Sequence, residues 1–162
     1  MSLAICPGSF DPITLGHLNI IRRASKIFDK VVVCIMVNST KMTPMFSIDE
    51  RVDMAKRVVE RLPNVEVDTF DGLLAEYAKK YDDAVIVKGM RAASDFEYEF
   101  MMALTNKKLN SRVETVFLAS DERYMYLSST TVREIASYGG DISRFVPAEI
   151  LDDLMIKLNG RK

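Results

Sequence analysis

The amino-acid sequence predicts an α/β fold, a five-stranded parallel sheet with helices on both faces. Three observations carry this. Short apolar runs alternate along the chain with segments whose apolar residues recur at helical spacing. One run, Val31–Val37 (VVVCIMV), is apolar throughout, as in a parallel strand covered on both faces. Turn-forming pairs punctuate the alternation at Pro7-Gly8, Pro63-Asn64 and Gly139-Gly140. Strands alternating with helices imply parallel neighbours joined by right-handed crossovers, a Rossmann-like arrangement. At 162 residues the chain is expected to form a single domain, residues 1–162, with a sizeable core.

The first strand spans Leu3–Cys6 and stops at Pro7-Gly8. Ser9, an Asp11-Pro12 turn and Gly16 lead into a helix over His17–Phe28, with Leu18, Ile21, Ala24, Ile27 and Phe28 on one face. Val31–Val37 is the second strand. Ser47-Ile48-Asp49-Glu50 is a capping box, in which hydroxyl and carboxylate each satisfy an amide at a helix start. That helix continues through Val52, Ala55, Val58 and Val59 to Leu62, and Pro63-Asn64 breaks it. Val65–Phe70 is a strand, Leu73–Tyr81 a helix, and Ala84–Val87 a short buried strand ending at Lys88-Gly89. Asp95–Leu109 is a helix, Val113–Leu118 the fifth strand, Ser129–Tyr138 a helix ended by Gly139-Gly140, and Pro147–Leu158 closes the chain. In Asp95–Leu109, Phe96, Phe100 and Leu104 form a packing stripe, while Asp95 and Glu97 read as a solvated face. Tyr98, Met101, Met102 and Ala103 make the same helix apolar beyond one face and predict a second buried surface.

Composition narrows the function. Lys and Arg number 22 and Asp and Glu 23, a formal charge of −1, so no global basic field serves nucleic acid and no polybasic segment serves a membrane. No apolar run approaches the roughly 18–20 residues of a membrane span. The N-terminus does not read as a secretory leader, and the expected location is the cytoplasm. Cys6 and Cys34 lie in strand-like runs outside any CxxC motif and are expected as buried, reduced thiols. One histidine and no cysteine cluster exclude a standard zinc site, and no dedicated metal site is predicted.

The residues after the strands carry the chemistry. Parallel sheets bind ligands beyond the carboxyl ends of their strands, at the point where strand order reverses. After the first strand come Ser9, Asp11 and His17, the only histidine, in the first turn of a helix. Amide groups at a helix start are unpaired and the helix dipole favours an anion there. After the second strand come Asn38-Ser39-Thr40-Lys41, after the third Asp71-Gly72-Leu73-Leu74, and after the fourth Lys88-Gly89-Met90-Arg91. After the fifth, Ser120 leads to a second hydroxyl-rich helix start, Ser128-Ser129-Thr130-Thr131. Cations after successive strands, facing two helix starts, point to a polyphosphate site. The chain has neither GxGxxG after its first strand nor GxxxxGK[ST], so the site is not a standard dinucleotide cradle or P-loop.

Ser9-Phe10-Asp11-Pro12 with Thr14-Leu15-Gly16-His17 resembles the GxFDPxxxGH and [TH]xGH signatures of the nucleotidyltransferases related to class I aminoacyl-tRNA synthetases. Leu127-Ser128-Ser129-Thr130-Thr131-Val132-Arg133 resembles their ISSTxxR signature, with Leu for the first Ile. Within that superfamily, Lys88-Gly89-Met90-Arg91-Ala92-Ala93-Ser94-Asp95-Phe96-Glu97-Tyr98-Glu99 is similar to the [RK]G[LM]RxxxDFEYE segment of the bacterial phosphopantetheine adenylyltransferases. Pro44-Met45-Phe46-Ser47 with Glu50-Arg51 is similar to their PMFxxxER stretch. The resemblance runs from about Ala4 to the final helix. Two positions depart from the commonest pattern: Ser9 for Thr, which keeps the hydroxyl, and Lys88 for Arg, which keeps charge but loses bidentate geometry.

The resemblance implies transfer of AMP from ATP to 4′-phosphopantetheine, giving dephospho-CoA and pyrophosphate in coenzyme A biosynthesis. It implies His17 and Lys41 as catalytic groups, and Ser9, Lys41, Leu74 and Lys88 as acceptor-binding residues. ATP would be held by Ser9, Phe10, His17, Gly89, Met90, Arg91, Glu99, Tyr124, Met125, Tyr126, Leu127, Ser128, Ser129 and Thr130. It also implies Mg²⁺ with ATP, a homohexamer, and feedback binding of coenzyme A. The inventory suits this chemistry: a phosphate nucleophile is already anionic at neutral pH and needs no general base, so alignment and charge stabilisation suffice. Two alternatives stand beside it, a sister nucleotidyltransferase acting on nicotinate mononucleotide or another phosphorylated acceptor, and a non-catalytic nucleotide sensor. An acceptor panel and pyrophosphate release discriminate them.

Overall fold

The computed structural model describes residues 1–37 and 44–160. In chain order the elements are β1 (Leu3–Gly8), α1 (Leu15–Ile27), β2 (Lys30–Val37), α2 (Ile48–Val59), β3 (Val65–Asp71), α3 (Leu74–Ala78), β4 (Ala84–Met90), α4 (Ala93–Leu109), β5 (Glu114–Ala119), α5 (Ser129–Ser137) and α6 (Leu151–Asn159). Among the described residues the strands form one parallel sheet in the order β3-β2-β1-β4-β5. Strand order reverses between β1 and β4, so the carboxyl ends of these two strands flank the crevice where such sheets bind ligands.

Two apolar layers cover the sheet. One face packs α1, α2, α5 and α6 around Ala4, Cys6, Ile21, Val31, Val33, Ile35, Met54, Val132 and Leu154. The opposite face packs α3 on Ile5, Val32, Cys34 and Ile86 through Tyr77 and Ala78. Val31 through Ile35 are all buried, which is why this run has no polar alternation. The Ser47 capping box forms as predicted: Glu50 N–H donates to Ser47 Oγ at 3.2 Å and Ser47 N–H to Glu50 Oε2 at 2.7 Å.

Four expectations are corrected. Ile27 is 60 % exposed, and Ile20 takes the buried position on α1. The strand predicted to end at Val87 continues through Lys88, Gly89 and Met90, which pair with Phe117, Leu118 and Ala119. The helix predicted over Leu73–Tyr81 is one turn of five residues. A helix that short is not self-sustaining; the buried Tyr77, whose hydroxyl donates to Asp68 Oδ2 at 2.8 Å, and the Asn110 side-chain amide on the Ala75 carbonyl hold it. The Phe96, Phe100 and Leu104 stripe finds no cover among the described residues, and Phe96 and Phe100 stack on each other in the open, their centroids 5.5 Å apart. Tyr98 and Met101 on the same helix are also exposed, leaving α4 with an apolar outer surface. Among the described residues no helix is long and apolar enough to cross a membrane.

Candidate active site

A cavity of about 260 Å³ opens at the strand-order reversal. Its walls come from β1 (Cys6, Gly8), the start of α1 (Gly16, His17), β4 (Lys88, Gly89) and the start of α5 (Ser129), with Phe10, Arg91, Glu99, Tyr124 and Ser128 completing it. Gly89 is required for its shape: a Cβ there would lie 2.9 Å from Ile20 Cγ1, too close for β4 and α1 to pack as they do.

His17 is fixed by the turn that begins α1. Thr14 is the N-cap, and its hydroxyl accepts the His17 amide at 3.3 Å. In return His17 Nδ1 accepts the Thr14 amide at 3.0 Å. This is a capping box with histidine in the place usually held by a carboxylate. A backbone amide can only donate, so Nδ1 carries no proton and the neutral ring holds its proton on Nε2. Burial, then the charges of Arg91 and Lys88, lower the His17 pKa from 6.5 to about 4. The ring at neutral pH is therefore an uncharged, oriented hydrogen-bond donor. Phe10 packs edge-on against it at 5.0 Å between centroids, from a left-handed backbone conformation (φ 48°) that non-glycine residues seldom adopt.

The loop carrying these groups is clamped by the segment before α2, by α2 and by α5. Buried Asp11 accepts the amides of Met45 and Phe46, each at 2.9 Å. Arg51 of α2, also buried, donates to the Ser9 carbonyl at 2.9 Å. From α5, Ser129 Oγ donates to the Pro12 carbonyl at 2.7 Å and Arg133 to the Asp11 carbonyl at 2.5 Å. The two signatures far apart in sequence are thus hydrogen-bonded to each other. Arg91 is likewise held: it donates to Asp95 Oδ2 at 3.0 Å and to the Leu127 carbonyl at 2.9 Å. Asp95, expected as part of a solvated face, is instead the partner that orients Arg91.

A second cavity, of about 250 Å³, lies on the α3 side. Leu73, Leu74, Met36 and Ile86 line it with Tyr98, Met102, Asn106 and Leu109 of α4. Lys88 and Glu99 line both cavities and pair with each other, Nζ to Oε2, at 3.3 Å.

Of the expected site residues, Phe10, His17, Gly89, Arg91, Glu99, Tyr124, Leu127, Ser128 and Ser129 line the first cavity, and Leu74 and Lys88 the second. Ser9, Met90, Met125, Tyr126 and Thr130 line neither, and Ser9, Met125, Tyr126 and Thr130 are exposed. Lys41 lies outside the described residues. Thr14 and Asn106 are not legible as site residues from sequence beyond the [TH]xGH spacing that contains the first, and Met102, expected as part of a second buried surface of its helix, instead lines the second cavity. Cys6 and Cys34 are buried and free, and burial pushes their thiols up to about 12 and about 11.

A parallel sheet with a histidine-bearing helix start and a hydroxyl-capped second helix start at the strand-order reversal defines a nucleotidyltransferase-type α/β protein. The chain belongs to the cytidylyltransferase-like family, whose sequence profile matches residues 5–135. It is 55 % identical over 157 residues to the phosphopantetheine adenylyltransferase of Caldanaerobacter subterraneus subsp. tengcongensis, covering 97 % of this chain and 98 % of that one. It is 52 % identical over 162 residues to the enzyme of the same name from Clostridium botulinum strain Hall, covering 100 % of this chain and 98 % of that one. In three dimensions it resembles a solved structure of a candidate nicotinate-nucleotide adenylyltransferase from Vibrio parahaemolyticus, with a TM-score of 0.71 at 21 % identity over 100 % of this chain and 98 % of that one, a likeness of fold.

Proposed function

We infer that this protein is an adenylyltransferase that moves AMP from ATP to 4′-phosphopantetheine, forming dephospho-CoA and pyrophosphate in coenzyme A biosynthesis. The observation that carries this is the pair of cavities meeting at Lys88: one has an oriented neutral imidazole, Arg91 and a hydroxyl-capped helix start, the other an apolar trough beside α3. A triphosphate suits the first, and a phosphate on a long uncharged arm suits the second. Whole-length similarity to relatives carrying the enzyme's name agrees with it.

A phosphate oxygen of the acceptor attacks the α-phosphorus of ATP, and the bond from that phosphorus to the bridging oxygen breaks to release pyrophosphate. No proton must be removed from the nucleophile. His17 Nε2–H donates to an α-phosphate oxygen, stabilising charge that builds in the transition state. Arg91, Ser128 and Ser129 hold the triphosphate, Lys88 receives the acceptor phosphate, and Leu74 lines its arm. By resemblance, Lys41 neutralises charge between the reacting phosphates. Among the described residues no three His, Cys, Asp or Glu side chains gather as metal ligands. By resemblance, Mg²⁺ would arrive on the oxygens of ATP and offset the charge of the leaving pyrophosphate.

The protein is read as a cytoplasmic homohexamer that also binds coenzyme A as a feedback ligand. The uncovered apolar surface of α4 supports assembly, and sedimentation equilibrium tests the stoichiometry. The deciding experiment is pyrophosphate release with ATP and an acceptor panel. Turnover with 4′-phosphopantetheine and none with nicotinate mononucleotide is expected, and His17→Ala lowers kcat about 10²–10³-fold with little change in KM for ATP. Turnover near the parent's in that variant would remove His17 from the mechanism.

A further inference from the structure

The helix α4 carries two acids one turn apart, Asp95 and Glu99, and each meets a cation from the β4 segment. Residues four apart share a helix face. The two pairs are built differently. Arg91 is locked by two contacts to Asp95 and a third to the Leu127 carbonyl. Lys88 is joined to Glu99 by a contact of 3.3 Å, with both side chains partly open to the cavities. Lys88 sits in the paired part of β4, so the base of its side chain is fixed. Among the described residues it is the one basic residue lining the second cavity, and Glu99 is the one acid.

We propose that Glu99 is a stand-in anion: its carboxylate occupies Lys88 until the acceptor phosphate arrives, so that acceptor binding is an exchange of one anion for another on a single ammonium. This rests on the reading of Lys88 as the group that receives the acceptor phosphate. An ammonium is a compact charge without the rigid fork by which a guanidinium grips a carboxylate bidentately, so its hold on Glu99 is easily surrendered. A phosphate monoester brings more charge and more acceptor oxygens than a carboxylate, which favours the exchange. Glu99 thereby sets acceptor affinity from the opposing side: it keeps Lys88 extended toward the cavity while competing for it. It also discriminates, because a neutral acceptor cannot displace it.

Calorimetric titration of the full-length protein without ATP tests this, with 4′-phosphopantetheine and, separately, unphosphorylated pantetheine. Glu99→Gln keeps the shape and removes the competitor, and it should bind 4′-phosphopantetheine about two- to fivefold more tightly, the size of a partly exposed ion pair. Pantetheine binding should not change. In a Lys88→Met background the gain from Glu99→Gln should vanish, since no ammonium remains to be contested. Glu99→Ala should shift affinity in the same direction. Equal or weaker binding by Glu99→Gln, an equal gain for pantetheine, or a gain that persists with Lys88→Met would overturn the exchange. If Lys88→Met binds 4′-phosphopantetheine as well as the parent, the acceptor assignment of Lys88 falls and the exchange falls with it. If Lys88→Met weakens binding but Glu99→Gln does not tighten it, the exchange alone is wrong.

Discussion

Acidification should find His17 unusually hard to protonate. The chain has a single histidine, so one ring Cε1–H resonance reports its titration without assignment. Protonation would place a proton on Nδ1, where the Thr14 amide already donates from 3.0 Å, and would set a positive ring among Lys88 and Arg91 in a partly buried site. Burial, then the charges of Arg91 and Lys88, lower the pKa from 6.5 to about 4, a preference for the neutral ring on the order of 3 kcal/mol. In the pH range between the two values the unfolded chain binds the proton and the folded chain does not. The penalty is therefore absent above pH 6.5 and grows as pH falls toward 4. Two assays read it. A proton–carbon NMR titration should give a midpoint of about 4 with the Nε2–H tautomer above it. Urea unfolding at pH 7 and pH 4.5 should show the parent losing on the order of 2–3 kcal/mol more than His17→Gln. A midpoint near 6.5, or equal losses in parent and variant, would refute the oriented neutral donor and the role assigned to it.

Other outcomes follow from the same geometry. Lys88→Ala should raise KM for 4′-phosphopantetheine far more than KM for ATP, and Lys88→Arg should hold or improve it; steady-state kinetics with each substrate varied decides, and an unchanged acceptor KM sinks the assignment. Thiol-blocking reagents should leave the native protein active, and Cys34→Ser should turn over like the parent, because buried thiols raised to about 12 and about 11 offer no thiolate at neutral pH; inhibition without unfolding would contradict this. Asp11→Ala strips the acceptor from two buried amides and should lower stability by on the order of 2–3 kcal/mol in urea unfolding, with a midpoint equal to the parent's as the contrary result.

Much of the architecture was legible because burial leaves a periodic trace. Val31–Val37 read as a strand covered on both faces, and Ser47 with Glu50 marked a helix start, since each rule is local. Periodicity fails where pairing continues without burial: Lys88-Gly89-Met90 look like a turn, yet their backbone stays in the ladder beside β5. It also fails to say what covers a face, so the α4 stripe that predicts packing lies open among the described residues. In the site, the types of residue were readable and their partners were not. Asp95 looked like one charge on a wet helix until Arg91 folded onto it, and the tautomer of His17 depends on a backbone amide that no sequence pattern displays.

The strand order has a bearing on how the molecule comes into being. β1 is made well before β4, yet one of its edges waits for Ala84–Ile86 to emerge and pair with Leu3–Ile5. Until then a nascent chain exposes an apolar row of unpaired amides and carbonyls, a template for pairing with other chains. Nor does a fragment ending before β4 hold a working half-site: His17 precedes by some seventy residues the lysine and arginine that face it, and the second helix start comes later still. A chain cut short before β4 thus exposes an edge, one cut short before α5 lacks part of the cavity wall, and competence waits for α5.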